Sequence, residues 1–246
     1  MKLRVLLLAL ALIGVSAVPA RAQALVADLS EHLIAITTGF SGTDVLLFGS
    51  TEGEGEVIVI LRGPDTPVVV RRKERIAGIW INRDQVTFSG APSFYRIAAS
   101  RPLEEITTPE LRAKHQIGID QIRVLPDRRL PPEILAEFRA GLLRNKVRQG
   151  FYAEEVGRVS FLGPRLFRTR IYLPANVPPG AYTVEALLVQ GGEVIAAQTT
   201  PMFVSKVGIG AEVYDFAHRY AAVYGLVAVL VAAFAGWGAG AVFRKV

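Results

Sequence analysis

The sequence predicts a mainly β chain: an immunoglobulin-like β-sandwich ectodomain with a helical insertion, plus one C-terminal transmembrane helix. Three observations predict it. Short apolar stretches recur about every ten residues with Gly, Pro and Asp between them, which is sandwich-type spacing. Residues 103–150 switch to helical periodicity. Residues 221–243 then run 23 positions without a charge.

The chain has 246 residues, 51% hydrophobic and 20% charged, with no cysteine. That length suits one large domain or two small ones. The lack of cysteine excludes disulfide staples, thiolate metal sites and a thiol nucleophile.

Both ends read as membrane addresses. Lys2 and Arg4 precede the apolar run Val5 to Val18, Pro19 breaks it, and Ala20-Arg21-Ala22 has the small-x-small cleavage pattern. A signal peptide over 1–22, cut between Ala22 and Gln23, is expected. At the other end, Ala221 to Phe243 would reach about 34 Å as a helix, enough to cross a bilayer. Tyr214, Tyr220 and Tyr224 flank one end, and Trp237 and Phe243 lie near the other, as interfacial belts do. Arg244 and Lys245 then mark the cytoplasmic side. The expected product is single-pass in a bacterial inner membrane, with its bulk periplasmic, a juxtamembrane segment at 207–220 and a cytoplasmic tail at 244–246. Within the span, Ala228, Ala232, Gly236 and Gly240 recur every four residues. Such a stripe lets another helix approach closely, from a membrane-protein partner or a second copy; small residues are also simply common in membrane helices.

The strands of 23–102 come first. Leu33 to Ile36 leads to a Gly39/Gly42 turn, and Asp44 to Phe48 leads to Gly49. Thr51 to Glu56 is polar and glycine-rich. Val57 to Leu61 is apolar without interruption, which suits a strand covered on both faces. Gly63-Pro64-Asp65 turns the chain into Val68 to Val70. Ile79 to Ile81, Val86 to Phe88 and Phe94 to Ala98 complete the series. In the insertion, 103–150, Thr108 and Pro109 open a short helix to about His115. Pro131-Pro132-Glu133 opens a longer one, with Ile134, Leu135, Phe138, Leu142 and Leu143 on one face. Its acids, Glu133 and Glu137, precede its bases, Arg144, Lys146 and Arg148, as the helix dipole favours, and Gly150 stops it. Strands resume over 151–206. Phe167 to Leu173 alternates, placing Arg168 and Arg170 on the wet face. Gly180-Ala181-Tyr182 has the form of a tyrosine corner, and Gly191-Gly192 is a two-residue hairpin turn.

Catalytic patterns are thin. The histidines His32, His115 and His218 are scattered, and no HExxH, GxSxG or phosphate-loop motif occurs. No catalytic residue, metal site or cofactor is expected. Glu52, Glu54 and Glu56 alternate with glycine but lack a calcium-loop pattern, so they read as a solvated turn. Arg71, Arg72, Lys73 and Arg75 place four cations in five positions. They could meet an anion, a lipid headgroup or an acidic partner, or they could protect an edge strand from pairing.

Five segments carry a resemblance: Ile36 to Gly42, Val45 to Gly49, Gly78 to Asn82, Pro92 to Tyr95, and Ser100 to Leu103. With the order signal, β-rich domain, span, they make the chain resemble the putative transmembrane protein family of alphaproteobacteria over most of 24–246. The resemblance implies no catalytic residue. It implies at most an accessory role beside a sulfite-exporter-like permease. The expected function is therefore a membrane-anchored periplasmic interaction or accessory protein, not an enzyme. The alternative is an anion-binding accessory subunit of an inner-membrane transporter.

The net charge of +6 is mostly topology. Without Lys2, Arg4, Arg21, Arg244 and Lys245, 23 basic residues face 22 acidic ones, so no nucleic-acid partner is expected. An internal polarity remains. Residues 23–61 hold six acids and no base, whereas 62–170 hold 21 bases and 12 acids.

Overall fold

Alternating apolar side chains give two sheets a common core. The computed structural model describes residues 24–76 and 78–243. The signal segment, its Ala22/Gln23 cleavage site and the tail from Arg244 lie outside the described residues. In chain order the strands begin with β1 (Leu25–Leu29), β2 (Leu33–Ile36), β3 (Gly42–Thr51), β4 (Glu56–Arg62), β5 (Asp65–Ile76), β6 (Ile79–Pro92) and β7 (Tyr95–Ala99). They continue with β8 (Leu125–Pro126), β9 (Gly157–Arg158), β10 (Ser160–Phe161), β11 (Leu166–Pro174), β12 (Gly180–Gln190) and β13 (Glu193–Lys206). One sheet has the order β1-β3-β11-β10 and a second has β2-β13-β12-β4-β7-β9. The pairs β2–β13 and β7–β9 are parallel and lie at the two edges of the second sheet.

Leu25, Leu29, Val45, Leu47, Phe167, Ile171 and Leu173 from the first sheet meet Val57, Val59, Leu61, Val184, Leu188, Met202 and Val204 from the second. These are the every-second residues that a pleated strand turns to one face. Gly49 keeps β3 close to its neighbours. A Cβ there would lie 2.3 Å from the Val26 carbonyl oxygen and 2.6 Å from Phe167 Cζ. The bare glycine is what lets the Phe167 ring lie across the strand.

β4 is covered on both faces, as its unbroken apolar run requires. Val57, Val59 and Leu61 enter the core between the sheets. Ile58 and Ile60 enter a second core under the insertion. All five are at most 1% exposed. The insertion supplies α1 (Leu103–Ile106), α2 (Pro109–His115), a 3-10 turn (Ile119–Gln121) and α3 (Pro132–Arg148). Leu103, Ile106, Leu111, Ile117 and Ile122 pack there with Ile97, Leu187, Val189, Tyr95 and Tyr152. Thr108 caps α2, its hydroxyl accepting from the Leu111 amide at 3.2 Å.

The sandwich expected over 23–102 is interrupted. β5 and β6 leave it and form a separate sheet with β8. Ile79 to Ile81 and Val86 to Phe88 belong to one 14-residue strand, with a register shift that leaves Arg83 as the extra residue. The reason lies in α3. Val70, Val86 and Phe88 pack on its Phe138 and Leu142, giving this hairpin a core of its own. β6 outgrows that core. From Ile79 to Gln85 all its residues but Asp84 are exposed.

After β13 the chain passes into α4 (Ile209–Arg219) and α5 (Ala221–Phe243). The window Ala221–Gly240 is long and apolar enough to cross a membrane, and none of it is buried by the other described residues. The protein is thus mainly β with one C-terminal apolar helix.

Three buried tyrosines each donate to a backbone carbonyl. The Tyr182 hydroxyl donates to the Pro178 carbonyl at 2.6 Å, the backward bond of a tyrosine corner. Tyr152 donates to the Pro92 carbonyl at 2.8 Å, and Tyr95 to the Gln116 carbonyl at 2.5 Å. Burial pushes the phenols of Tyr95 and Tyr182 up to about 12, and that of Tyr152 up as well. An unfolded phenol ionises near pH 10, so the unfolded chain sheds these protons first. Their contribution is complete below about pH 10 and disappears as pH rises toward about 12. Tyrosinate absorbance should therefore show these three ionising together with the loss of circular dichroism. Reversible ionisation of all seven tyrosines near pH 10 in the folded protein would contradict the burial.

Candidate interaction surface

The basic run of β5 divides by strand alternation. Arg72 and Glu74 face one side of the hairpin, and Arg71, Lys73 and Arg75 face the other. Arg72 is engaged. Its guanidinium pairs with Asp84 on the opposite strand and, at 3.1 Å, with Glu137 of α3. It also lies 5.8 Å from the centre of the Phe138 ring. The hydrogen bond to Asp84 is the main reason its pKa rises. Arg72 therefore clamps the hairpin to α3, and of the four expected contact residues it is the one whose charge is already answered. Glu74 is answered too, by Arg83 at 2.6 Å.

The other three cations remain on an exposed face. Arg71 Nε is 3.4 Å from Gln85 Oε1 and Arg75 Nε is 3.3 Å from the Gly78 carbonyl, while Lys73 is exposed. Cross-strand pairing sets Arg71 opposite Gln85, Lys73 opposite Asn82 and Arg75 opposite Trp80. On the reverse face, Glu74 is opposite Ile81 and Ile76 is opposite Ile79. The arm thus ends in four large apolar side chains, of which Ile79 is 67% and Trp80 64% exposed. Sequence reasoning assigned Ile79 to Ile81 to the sandwich and missed this tip. The available signal was their place directly beyond a charged run that no sandwich core could accept.

Five other cations of 62–170 donate to backbone carbonyls. Arg62 donates to the carbonyls of His115 and Gln116 at the end of α2, and Arg123 donates to Ala113 at 2.9 Å. Arg139 holds the carbonyls of Asp120 and Ile122. Arg96 donates to Gly150 at 3.0 Å and Lys146 to Ser93 at 3.4 Å. Lys146, expected on the charged end of α3, is 8% exposed instead. Its ammonium lies 5.5 Å from the Phe151 ring centre and 5.7 Å from that of Tyr152. Burial lowers its pKa. Position explains it: Lys146 follows Leu142 by four residues and Phe138 by eight, on the buried stripe of the helix.

Arg62, Arg123, Tyr95, Gln116, Asp65 and Glu185 also line an open cleft of about 460 Å³. Gln116 sits there in the left-handed region at φ 53°. Its carbonyl accepts from Tyr95 and Arg62, and its side-chain oxygen accepts from the Arg123 amide at 2.9 Å. Arg62 and Arg123 both donate to carbonyls at the end of α2, Arg62 Nε is left without a partner among the described residues, and the charges of the cleft are mixed. Away from it, His32 lies 2.9 Å from Asp28, and His218 contacts the Tyr214 carbonyl at 2.9 Å.

On α5, a Cβ added at Gly236 or Gly240 would meet nothing within 4 Å. Ala232 and Ala228 lie one and two turns before Gly236 on the same side, both exposed among the described residues.

The family model described as "Putative transmembrane protein" matches residues 24–245. No curated protein matches the chain.

The two faces of the arm should respond differently to substitution. Phe138→Ala should cost about 3–5 kcal/mol, because it empties the core that holds the arm. Arg72→Ala should lower Tm, and adding Glu137→Ala should lower it by less than the sum of the two single changes. The triple change Arg71→Gln/Lys73→Gln/Arg75→Gln should leave Tm unchanged. Thermal unfolding of the full chain in detergent decides all three; a triple variant as unstable as Arg72→Ala would refute the division of faces.

Proposed function

The chain belongs to this transmembrane protein family, and we propose that it acts as a membrane-anchored interaction or accessory protein without catalysis of its own. The observation that carries the reading is α5. It offers 23 apolar residues, none buried by the β domain across its apolar window, joined to that domain by one short helix. A soluble helix of that composition would be covered by its own core; a span needs no cover but lipid.

The proposed orientation follows the charges. Arg244 and Lys245 remain in the cytoplasm, and the β domain lies in the periplasm after removal of 1–22. The β domain is read as immunoglobulin-like on two supports: the Tyr182–Pro178 bond and the face-to-face sheets. Its parallel edge strands, β2 and β9, would be additions to that plan.

The small-residue face of α5 is the proposed contact with a second helix, either a membrane protein such as a permease or another copy of this chain. Gly236→Leu/Gly240→Leu should close it without touching the β domain. Affinity isolation from native membranes should recover a partner or an oligomer with the wild-type chain and lose most of it with the variant. Equal recovery from both would overturn the helix contact.

A further inference from the structure

We propose that the tip of the β5–β6 arm inserts into the bilayer that carries α5, with its isoleucines among the acyl chains, Trp80 at the interface just above them, and Arg71, Lys73 and Arg75 among anionic headgroups. The proposal rests on α5 being a span, and its test keeps the two claims apart.

The order of side chains along the arm is the order of layers in a membrane surface. Ile76 and Ile79 pair at the tip, and Ile81 follows on the same face. Trp80 comes beside them, opposite Arg75, and Lys73 and Arg71 stand further back on that face. At about 3.4 Å per residue the three cations span about 14 Å of strand. Tryptophan favours the interface, and long cationic side chains reach headgroups while their stems stay apolar. The acids of the outer arm do not cancel this charge. Glu74 is paired with Arg83, and Asp84 with Arg72, which Glu137 also contacts.

The connection keeps the surface within reach. Only residues 207–220 separate β13 from α5, and 11 of them form α4. The domain is therefore tethered at the bilayer, where even a weak surface attraction is intramolecular. The connector has interface chemistry as well: Tyr214, Phe216 and Tyr220 are exposed, and the Phe216 ring lies 5.7 Å from that of Tyr220. A protein partner fits less well. Four side chains on a two-stranded tip fall far short of the roughly 800 Å² per partner that a stable protein interface buries.

The chain holds two tryptophans, so Trp237→Phe leaves Trp80 as the sole reporter. The full-length variant is reconstituted in phosphatidylcholine vesicles containing phosphatidylglycerol, with plain or brominated acyl chains. Brominated chains should quench Trp80 emission about twofold, as expected for a residue at the interface. Pure phosphatidylcholine or the triple change Arg71→Gln/Lys73→Gln/Arg75→Gln should abolish most of that quenching. Equal emission from plain and brominated vesicles would overturn the proposal. Trp80 shielded from acrylamide only in native membranes would overturn it in favour of a protein partner, and quenching that survives the triple change would overturn the role of the cations. Co-flotation of the protein with the vesicles reads α5 separately: a chain that floats but is unquenched fails the arm, and one that does not float fails the span.

Discussion

The two facing sheets and the insertion that covers them are arranged around a strand with two buried faces. Five consecutive apolar residues, Val57 to Leu61, cannot satisfy one core, because successive side chains point to opposite sides. One side is met by the first sheet. The other needs a separate cover, and residues 103–150 provide it. The insertion is therefore a structural layer. The Tyr95 and Tyr152 rings, 5.9 Å apart and edge-on, join that layer to the sheet.

Apart from the 17-residue α3, that layer is made of pieces too short to be helices on their own. α1 has four residues and α2 seven, below the length at which an isolated helix persists. Their ends leave carbonyls without helical partners. Arginine meets this need well, since its long stem crosses apolar ground and its planar head carries several donors. Arg62, Arg123 and Arg139 each reach such carbonyls, and Arg96 and Lys146 do the same around β7. Part of the basic excess of 62–170 thus has a mechanical origin. It staples irregular backbone to a sheet.

The arm stands apart from this economy of partners. Its inner half is packed on α3 and pinned by Arg72, so it projects as a supported two-stranded beam. Its outer half has cations on one face and apolar bulk at the end. A hairpin held at its base can present such a tip without unfolding anything else. In a chain that also carries a 23-residue apolar helix, both features answer to the same surroundings.

By itself the sequence determined whatever depends on local periodicity. The apolar length of α5, the double-faced burial of β4, the alternation of β11, the Thr108 cap, the Gly191-Gly192 turn and the bond made by Tyr182 all follow from residue spacing within one element. The tertiary structure alone decided how those elements share partners. Spacing could not separate β5 and β6 from the sandwich, since a strand looks the same in either sheet; the choice was made by Phe138 and Leu142, 50 to 72 residues from the Val70, Val86 and Phe88 they pack on. Charge, likewise, is visible in sequence, but whether it faces water is not. Arg72 and Arg71 are neighbours, yet one is clamped between two carboxylates and the other lies on an open face. Lys146 has a helix-end position that suits the dipole, and only the fold brings its ammonium close to the rings of Phe151 and Tyr152. A cation's role depends on which carbonyls, carboxylates and rings surround it, and those are brought together only by long-range packing.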